Sequence, residues 1–318
     1  GGLYVCGGIA VKNRERLKER VFLEAYKDRG RLRPVLDRVP LRLVLVDDLG
    51  YHNVGFHNAE QVSPHIDGLV REGVLLEAHY TFQFCSPTRS AFLSGRLPIH
   101  VNMKQPTPGS HPGGIDLRMT LISQVLKKAN YSTAMIGKGH IGAYSHANLP
   151  INRGFDHHFG FLGGGEDHFT QTIGTGGIVD LWRDHGPAHN ENGTYSCEMY
   201  GNDVQNVVQQ HNPAVPLFVY LPLHDTHSPY ECTEKWMDPR VKQPLRQLMQ
   251  CMLTCTDDVV GQLVATLKTK EMWQDTLMVW SADNGGPQYA GANNFPLRGG
   301  KGTDFQGGVR TAAFVAGG

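Results

Sequence analysis

From residue 41 onward the chain alternates short aliphatic and β-branched runs with stretches of helical spacing, and this alternation is the strongest restriction on its fold. Apolar runs at 43–46, 133–136, 217–221 and 277–281 read as strands. Helical periodicity predicts helices over 64–72, 118–129, 198–210 and 245–267. Strands separated by helices build βαβ units, so the expected architecture is α/β, with a mostly parallel central sheet flanked by helices. At 318 residues the chain is long enough for one large domain of this kind or two smaller ones.

Residues 12–38 have a different texture. They are rich in Arg, Lys and Glu, with apolar positions at Leu17, Val21, Phe22 and Ala25. This spacing predicts a charged surface helix ended by Gly30 and Pro34. Residues 1–40 are read as a charged N-terminal extension of unknown role. The first ten residues lack an initiator Met and the basic region of a signal peptide. The chain stops directly after an apolar run, and on this account it is read as a fragment.

With 30 basic and 30 acidic residues the formal net charge is zero, so nothing in the bulk charge favours nucleic acid or a membrane surface. No apolar run is long enough to span a bilayer. Six cysteines are too few and too scattered to read as a disulfide framework. Cys251 and Cys255 share a face of the predicted helix and read as core packing. The doublet His157-His158 reads as a surface pair. The Gly-rich stretch 163–192 reads as a long loop. Two sequons, Asn130-Tyr131-Ser132 and Asn192-Gly193-Thr194, are compatible with a secretory route.

Each predicted strand ends in residues that chemistry uses. Asp47-Asp48 follows the first, Lys138-Gly139-His140 the second, His224 and His227 the third, and Asp283-Asn284 the fourth, with Arg298 and Lys301 shortly after. In open α/β sheets, ligands gather outside the carboxyl ends of strands. Asp47, Asp48, Asp283 and Asn284 supply an all-oxygen set, which suits a hard cation such as Ca²⁺ or Mg²⁺ better than Zn²⁺. Arg89, Lys138 and Lys301 add positive charge, so a substrate here should be anionic. Sulfate and phosphate esters both qualify.

The most specific segment is Cys85-Ser86-Pro87-Thr88-Arg89 followed by Leu93-Ser94-Gly95-Arg96. It predicts a thiol on a tight turn before a helix covering 88–93, with the helix N-terminus and a permanent cation beside it. With Gly137-Lys138-Gly139-His140-Ile141-Gly142, Arg153-Gly154-Phe155-Asp156, Thr226-His227-Ser228-Pro229, Asp283-Asn284-Gly285-Gly286 and the run from Asn294 to Lys301, the chain from residue 41 to its end resembles the type I sulfatases of the alkaline phosphatase superfamily. Within them it is most similar to the arylsulfatase B, I and J group, the N-acetylgalactosamine-4-sulfatase-like members.

The resemblance implies an alkaline-phosphatase-like sandwich over 41–318 that lacks the small C-terminal domain. It implies that a formylglycine-generating enzyme converts Cys85 to Cα-formylglycine, and that one Ca²⁺, or Mg²⁺, binds Asp47, Asp48, Asp283, Asn284 and the modified Cys85. Arg89 would hold that residue. Lys138, His227 and Lys301 would grip sulfate oxygens, the last two also protonating the departing alcohol, with His224 a competitor for the position of His227. His140 would be the base that releases sulfate. The implied activity is sulfuric ester hydrolysis on sulfated carbohydrate or aryl sulfates, in a lysosomal or extracellular glycoprotein. A phosphonate or phosphodiester hydrolase, and a non-catalytic sulfatase-like protein, are the alternatives. Gly139 departs from the family's usual Trp, and its absence predicts a looser loop around Lys138 and His140.

Overall fold

The computed structural model describes residues 40–106, 113–174 and 177–318. The predicted helix within 12–38 lies outside the described residues. In chain order the main elements are β1 (Leu41–Val46), α1 (Pro64–Glu72), β2 (Val74–Leu75), α2 (Cys85–Ser94), α3 (Ile122–Lys128), β3 (Ser132–Ile136) and β4 (His157–Phe161). There follow β5 (Thr172–Ile173), β6 (Ile178–Val179), β7 (Leu181–Arg183), β8 (Gly186–Pro187), α4 (Ser196–Gln210), β9 (Leu217–Leu223), α5 (Pro244–Thr269), β10 (Leu277–Ala282) and β11 (Ala313–Gly317).

Nine strands form one sheet in the order β2-β11-β10-β1-β9-β3-β4-β7-β8. The five central strands, β10 to β4, are parallel, and the two at each edge run antiparallel to their neighbours. Burial of both faces explains why β1 and β9 are apolar almost throughout, a pattern parallel strands require. Alternate side chains serve opposite faces. Val44 and Val46 pack with Val219, Leu221 and Trp280 against α1, α4 and α5, which contribute Ile66, Tyr200, Val204 and Leu263. Leu43 and Leu45 pack on the other face with Met135, Phe218, Leu93 of α2 and Leu126 of α3. The result is the expected helix–sheet–helix sandwich.

Register places the chemistry. Val46 lies opposite both Ala282 and Leu223, so Asp47 leaves the sheet level with Asp283 and His224. The Lys138 amide donates to the Pro222 carbonyl at 2.8 Å, which brings β3's end to the same level. Four strand tips thus converge at one edge of the sheet, where β1 has neighbours on either side that come from distant parts of the chain.

Several expectations are corrected. His157 and His158 are not a surface doublet: they open β4, His158 is fully buried, and His157 is clamped between Asp184 and Asp203. The 163–192 stretch is not one loop, since it carries the β5–β6 hairpin and edge strands β7 and β8. The helix expected from residue 118 begins at Ile122. Cys251 forms a disulfide with Cys232, while Cys197 and Cys255 remain free and buried. Spacing within the helix could not reveal a partner that arrives from the preceding loop.

Candidate active site

Cys85 is not on a turn before its helix; it is the first residue of α2, with Phe84 as the extended N-cap. Pro87 sits in the first turn, where a missing N–H removes nothing the helix needs. The start is fixed from outside: the Thr88 hydroxyl receives the Phe82 amide at 2.9 Å, and Asn102 donates to the Ser86 hydroxyl at 2.7 Å. Gly95 ends the helix in the left-handed region. Arg89 lies one turn after Cys85, so both face the strand tips.

The thiol sulfur of Cys85 is 3.4 Å from Asp47 Oδ1 and 3.9 Å from Asp48 Oδ1. Arg89 donates to Asp283 Oδ2 through Nε at 3.1 Å and Nη2 at 2.8 Å, and to the Lys138 carbonyl at 3.2 Å. Lys138 Nζ bonds Asp47, and Lys301 Nζ bonds Asp48 Oδ2 at 2.6 Å. His227 Nε2 is 3.8 Å from the same Asp48 oxygen. Asp283 Oδ1 accepts the Asp48 amide at 3.1 Å, and Asn284 Nδ2 donates to Asp48 Oδ1 at 2.8 Å. Asp47, Asp48, Cys85, Arg89, Lys138, His227, Asp283, Asn284 and Lys301 are therefore joined in one cluster, to which His140 makes no direct hydrogen bond or ion pair. Arg298 is not in it, since its guanidinium stacks over Phe305 at the surface.

Charge crowding sets the protonation states. Burial pushes the Asp283 carboxyl up to about 7, and neighbouring Asp47 pushes the same way against Arg89. Burial also raises Asp47, but Lys138, His227, Arg89 and Lys301 together outweigh it and hold Asp47 well below the carboxylate range. The Cys85 thiol is pushed well up by burial and by Asp47, so it is a protonated thiol and a poor nucleophile. Burial, then Lys138 and Arg89, drive His140 well below its usual value and leave a neutral base. His227 falls to about 4 through burial and Lys138.

The cluster fits a hard cation. Asn284 Oδ1 is buried with no hydrogen-bond partner, while its Nδ2 donates to Asp48. Turning that amide over would aim the oxygen at Asp48, where a cation would be held. Asp47, Asp48, Cys85 and His227 present ligand atoms within 4.8 Å of one another. This grouping adds sulfur and nitrogen to two of the four oxygen donors expected from sequence, and Asp283 is not part of it.

Gly139 has a different consequence from the one expected. Its amide donates to the Phe161 carbonyl at 2.7 Å and the His140 amide to the Leu162 carbonyl at 3.1 Å, extending the β3–β4 ladder. A Cβ at Gly139 would stand 3.0 Å from the Phe161 oxygen and 3.3 Å from Leu162. The segment is tied by these bonds, and a side chain at Gly139 would require its neighbours to give by a few tenths of an ångström.

Sequence reasoning missed residues that hold the others. The Asp47 amide donates to the Asp225 carbonyl at 2.9 Å, and Thr226 returns two bonds to the Asp47 carbonyl. Asn294 receives the Gly286 amide at 3.0 Å and donates to the Gly286 and Gly299 carbonyls, which fixes the Lys301 loop. A Cβ at Gly164 or Gly165 would meet the rings of His140 or His227 within 2.7 or 3.1 Å. The Gly163-Gly164-Gly165 run was the signal for that close approach. His224 is fully buried and stacked on His168 with centroids 4.4 Å apart, leaving His227 as the histidine in reach of Asp48.

The chain is similar to known proteins over most of its length. The family model described as "Sulfatase" matches residues 42–318, and one described as "Glucokinase" matches residues 1–60. Arylsulfatase J of Mus musculus is 36% identical over 285 residues, covering 86% of this chain and 47% of the relative. N-acetylgalactosamine-6-sulfatase of Homo sapiens is 26% identical, with 86% and 56% covered. The chain thus spans about half the length of these curated relatives. Among solved structures, Ps i-CgsB in complex with k-i-k-neocarrahexaose superposes with a TM-score of 0.80 at 31% identity, over 88% of this chain and 66% of that one.

Proposed function

The chain belongs to the sulfatase family, and from that premise we propose that it is a sulfuric ester hydrolase acting on sulfated carbohydrate. The observation that carries this reading is the convergence of Cys85, 3.4 Å from Asp47, with Arg89, Lys138 and Lys301 on one carboxylate cluster. As it stands, the protonated thiol is unsuited to attack. Conversion of Cys85 to formylglycine supplies an electrophilic aldehyde whose hydrate is an oxygen nucleophile that can later expel sulfate.

Asp47, Asp48, Asp283 and Asn284 would hold one Ca²⁺ or Mg²⁺, which would lower the charge cost of bringing an anion among them. Lys138, Lys301 and His227 grip sulfate oxygens by charge-assisted hydrogen bonds. Lys301, bonded to Asp48 at 2.6 Å, is placed to give a proton to the leaving alcohol with His227 beside it. His140, neutral and buried, takes the proton that accompanies sulfate release. The saccharide relative at 31% identity supports a carbohydrate substrate. The Cys232–Cys251 disulfide supports passage through an oxidising, secretory compartment, lysosomal or extracellular. Asn130 and Asn192 are both exposed, as glycosylation in that route requires.

The test is to co-express the full chain with a formylglycine-generating enzyme, map the Cys85 peptide by mass, and assay a sulfate monoester beside a phosphate diester. Aldehyde at Cys85 and preferential sulfate release are expected. Preference for the diester would replace the sulfate reading with the phosphodiesterase one. Aldehyde without turnover of either ester would leave a binding protein.

A further inference from the structure

Helices α4 and α5 lie side by side on one face of the sheet, in parallel register. A Cβ at Gly201 would stand 2.6 Å from Val259 Cγ2, and one turn on Gln205 Nε2 donates to Gln262 Oε1 at 2.6 Å. One turn back from Gly201 and Val259, the same register sets Cys197 against Cys255. Residues beside the two cysteines close on a single carboxylate: Asp225 accepts the Tyr195 hydroxyl at 3.0 Å and the Thr256 hydroxyl at 3.3 Å. A cavity of about 260 Å³ is lined by Glu198 and Gly201 from α4 and by Cys255 and Val259 from α5. The two thiols hydrogen-bond each other, are 1% and 0% exposed, and are both free in this structure.

An aliphatic pair would fill the same space. Two opposed thiols, one helical turn from the Cys232–Cys251 disulfide, stand where oxidation joins them. We infer that Cys197 and Cys255 form a second disulfide, which staples α4 to α5 behind Asp225. The co-reactant is a low-molecular-weight disulfide of the glutathione class. One protein thiolate attacks its S–S bond and expels a thiol, giving a mixed disulfide. The second attacks the protein sulfur of that bond and expels the other thiol. The protein pair loses two hydrogens, and the S–S bond of the co-reactant is reduced to two thiols. Burial pushes both protein thiols up, which slows attack once the helices have closed, so the exchange belongs to folding. The bond fixes the helices around Asp225, whose carbonyl accepts the Asp47 amide at 2.9 Å. It also leaves Cys85 as the one unpaired thiol among the described residues, with no free cysteine there to couple with before its conversion.

For the test, the full chain is refolded in a buffer of reduced and oxidised glutathione and its free thiols are alkylated in denaturant. It is then digested without reduction by chymotrypsin, which cleaves after Leu253 and so separates Cys251 from Cys255. A Cys197–Cys255 peptide pair is expected beside the Cys232–Cys251 pair, with Cys85 in neither. Cys197→Ser should leave Cys255 alkylated and lower the denaturation midpoint of the oxidised protein, and that gap should close when both proteins are reduced. Alkylation of both Cys197 and Cys255 while Cys232 and Cys251 stay joined would overturn the inference, as would Cys255 joined to Cys232 or Cys251. A gap that persists undiminished in reductant would do the same, by assigning the pair to packing. The mapping does not depend on turnover: a joined pair in a chain that releases no sulfate would strike the hydrolase reading and leave this bond standing.

Discussion

Two clusters in this molecule set carboxylates against cations, and they are built on opposite terms. At the strand tips Asp47, Asp48 and Asp283 meet Arg89, Lys138 and Lys301 in near-complete burial. At the far edge of the sheet His157 bonds Asp184 at 3.0 Å and Asp203 at 2.8 Å, while Arg183 bonds Asp203 at 2.8 Å and stacks over Phe159. The edge cluster is half in water, and both nitrogens of its imidazole are satisfied. The inner one keeps an orphaned amide oxygen on Asn284 and a carboxyl on Asp283 pushed up to about 7. A cluster built for stability closes its accounts; one built to receive a cation and an anion leaves an acceptor unmatched.

The sharpest way to break the contrast is to remove one cation from each side. Lys138→Ala leaves Asp47 buried without its nearest partner and should lower unfolding free energy by about 3–5 kcal/mol, read by denaturant titration. Arg183→Ala, at a half-exposed pair, should cost under about 1 kcal/mol in the same assay. Equal losses would show that burial does not separate the two clusters.

Cation binding sharpens the comparison next. Ca²⁺ at about 100 times its dissociation constant should stabilise the native protein by about 2.7 kcal/mol, seen as a rise in Tm that chelator reverses. Asn284→Ala and Asp48→Ala should abolish that rise, and Asp203→Ala should not. A third measurement concerns the ladder that carries the base. Gly139→Ala pushes a methyl against the Phe161 carbonyl and should destabilise by about 1–3 kcal/mol. A neutral result would mean that β3 and β4 can separate without loss.

The smallest effect is the most specific. Burial lowers the His157 pKa, but the bond to Asp203 and the charges of Asp203 and Asp184 outweigh it, so the folded value lies above 6.5. The native state binds the proton more tightly, so the contribution of His157 is fully present below about pH 6.5 and is lost as pH rises through the folded value. His157→Gln should cost under about 1 kcal/mol below about pH 6.5, and that cost should fade as pH rises through the folded value, so the variant's profile is flatter there. An unchanged slope would show that the edge cluster does not titrate.

How much of this was legible follows from where each signal resides. Four of the five central strands and the helix Pro64–Glu72 declare themselves by local apolar pattern, because each is buried in a way its own residues must match. Their polar ends then mark the site. Strand β4 did not declare itself: His157-His158-Phe159-Gly160-Phe161 carries no β-branched residue, and its burial comes from pairing with β3 and β7. The Cys232–Cys251 bond was illegible for a similar reason, since Cys232 belongs to a loop whose route depends on the whole fold. The role of Gly139 also needed coordinates. A missing ring reads as a loss until the two ladder bonds that hold the segment are seen.

That disulfide has a practical reach. It anchors to α5 the stretch that follows His227. Thiol reagents added during purification to spare Cys85 would also sever this anchor. A preparation made under reducing buffer would then keep its strand-tip carboxylates in place while losing a tether on the segment that carries His227.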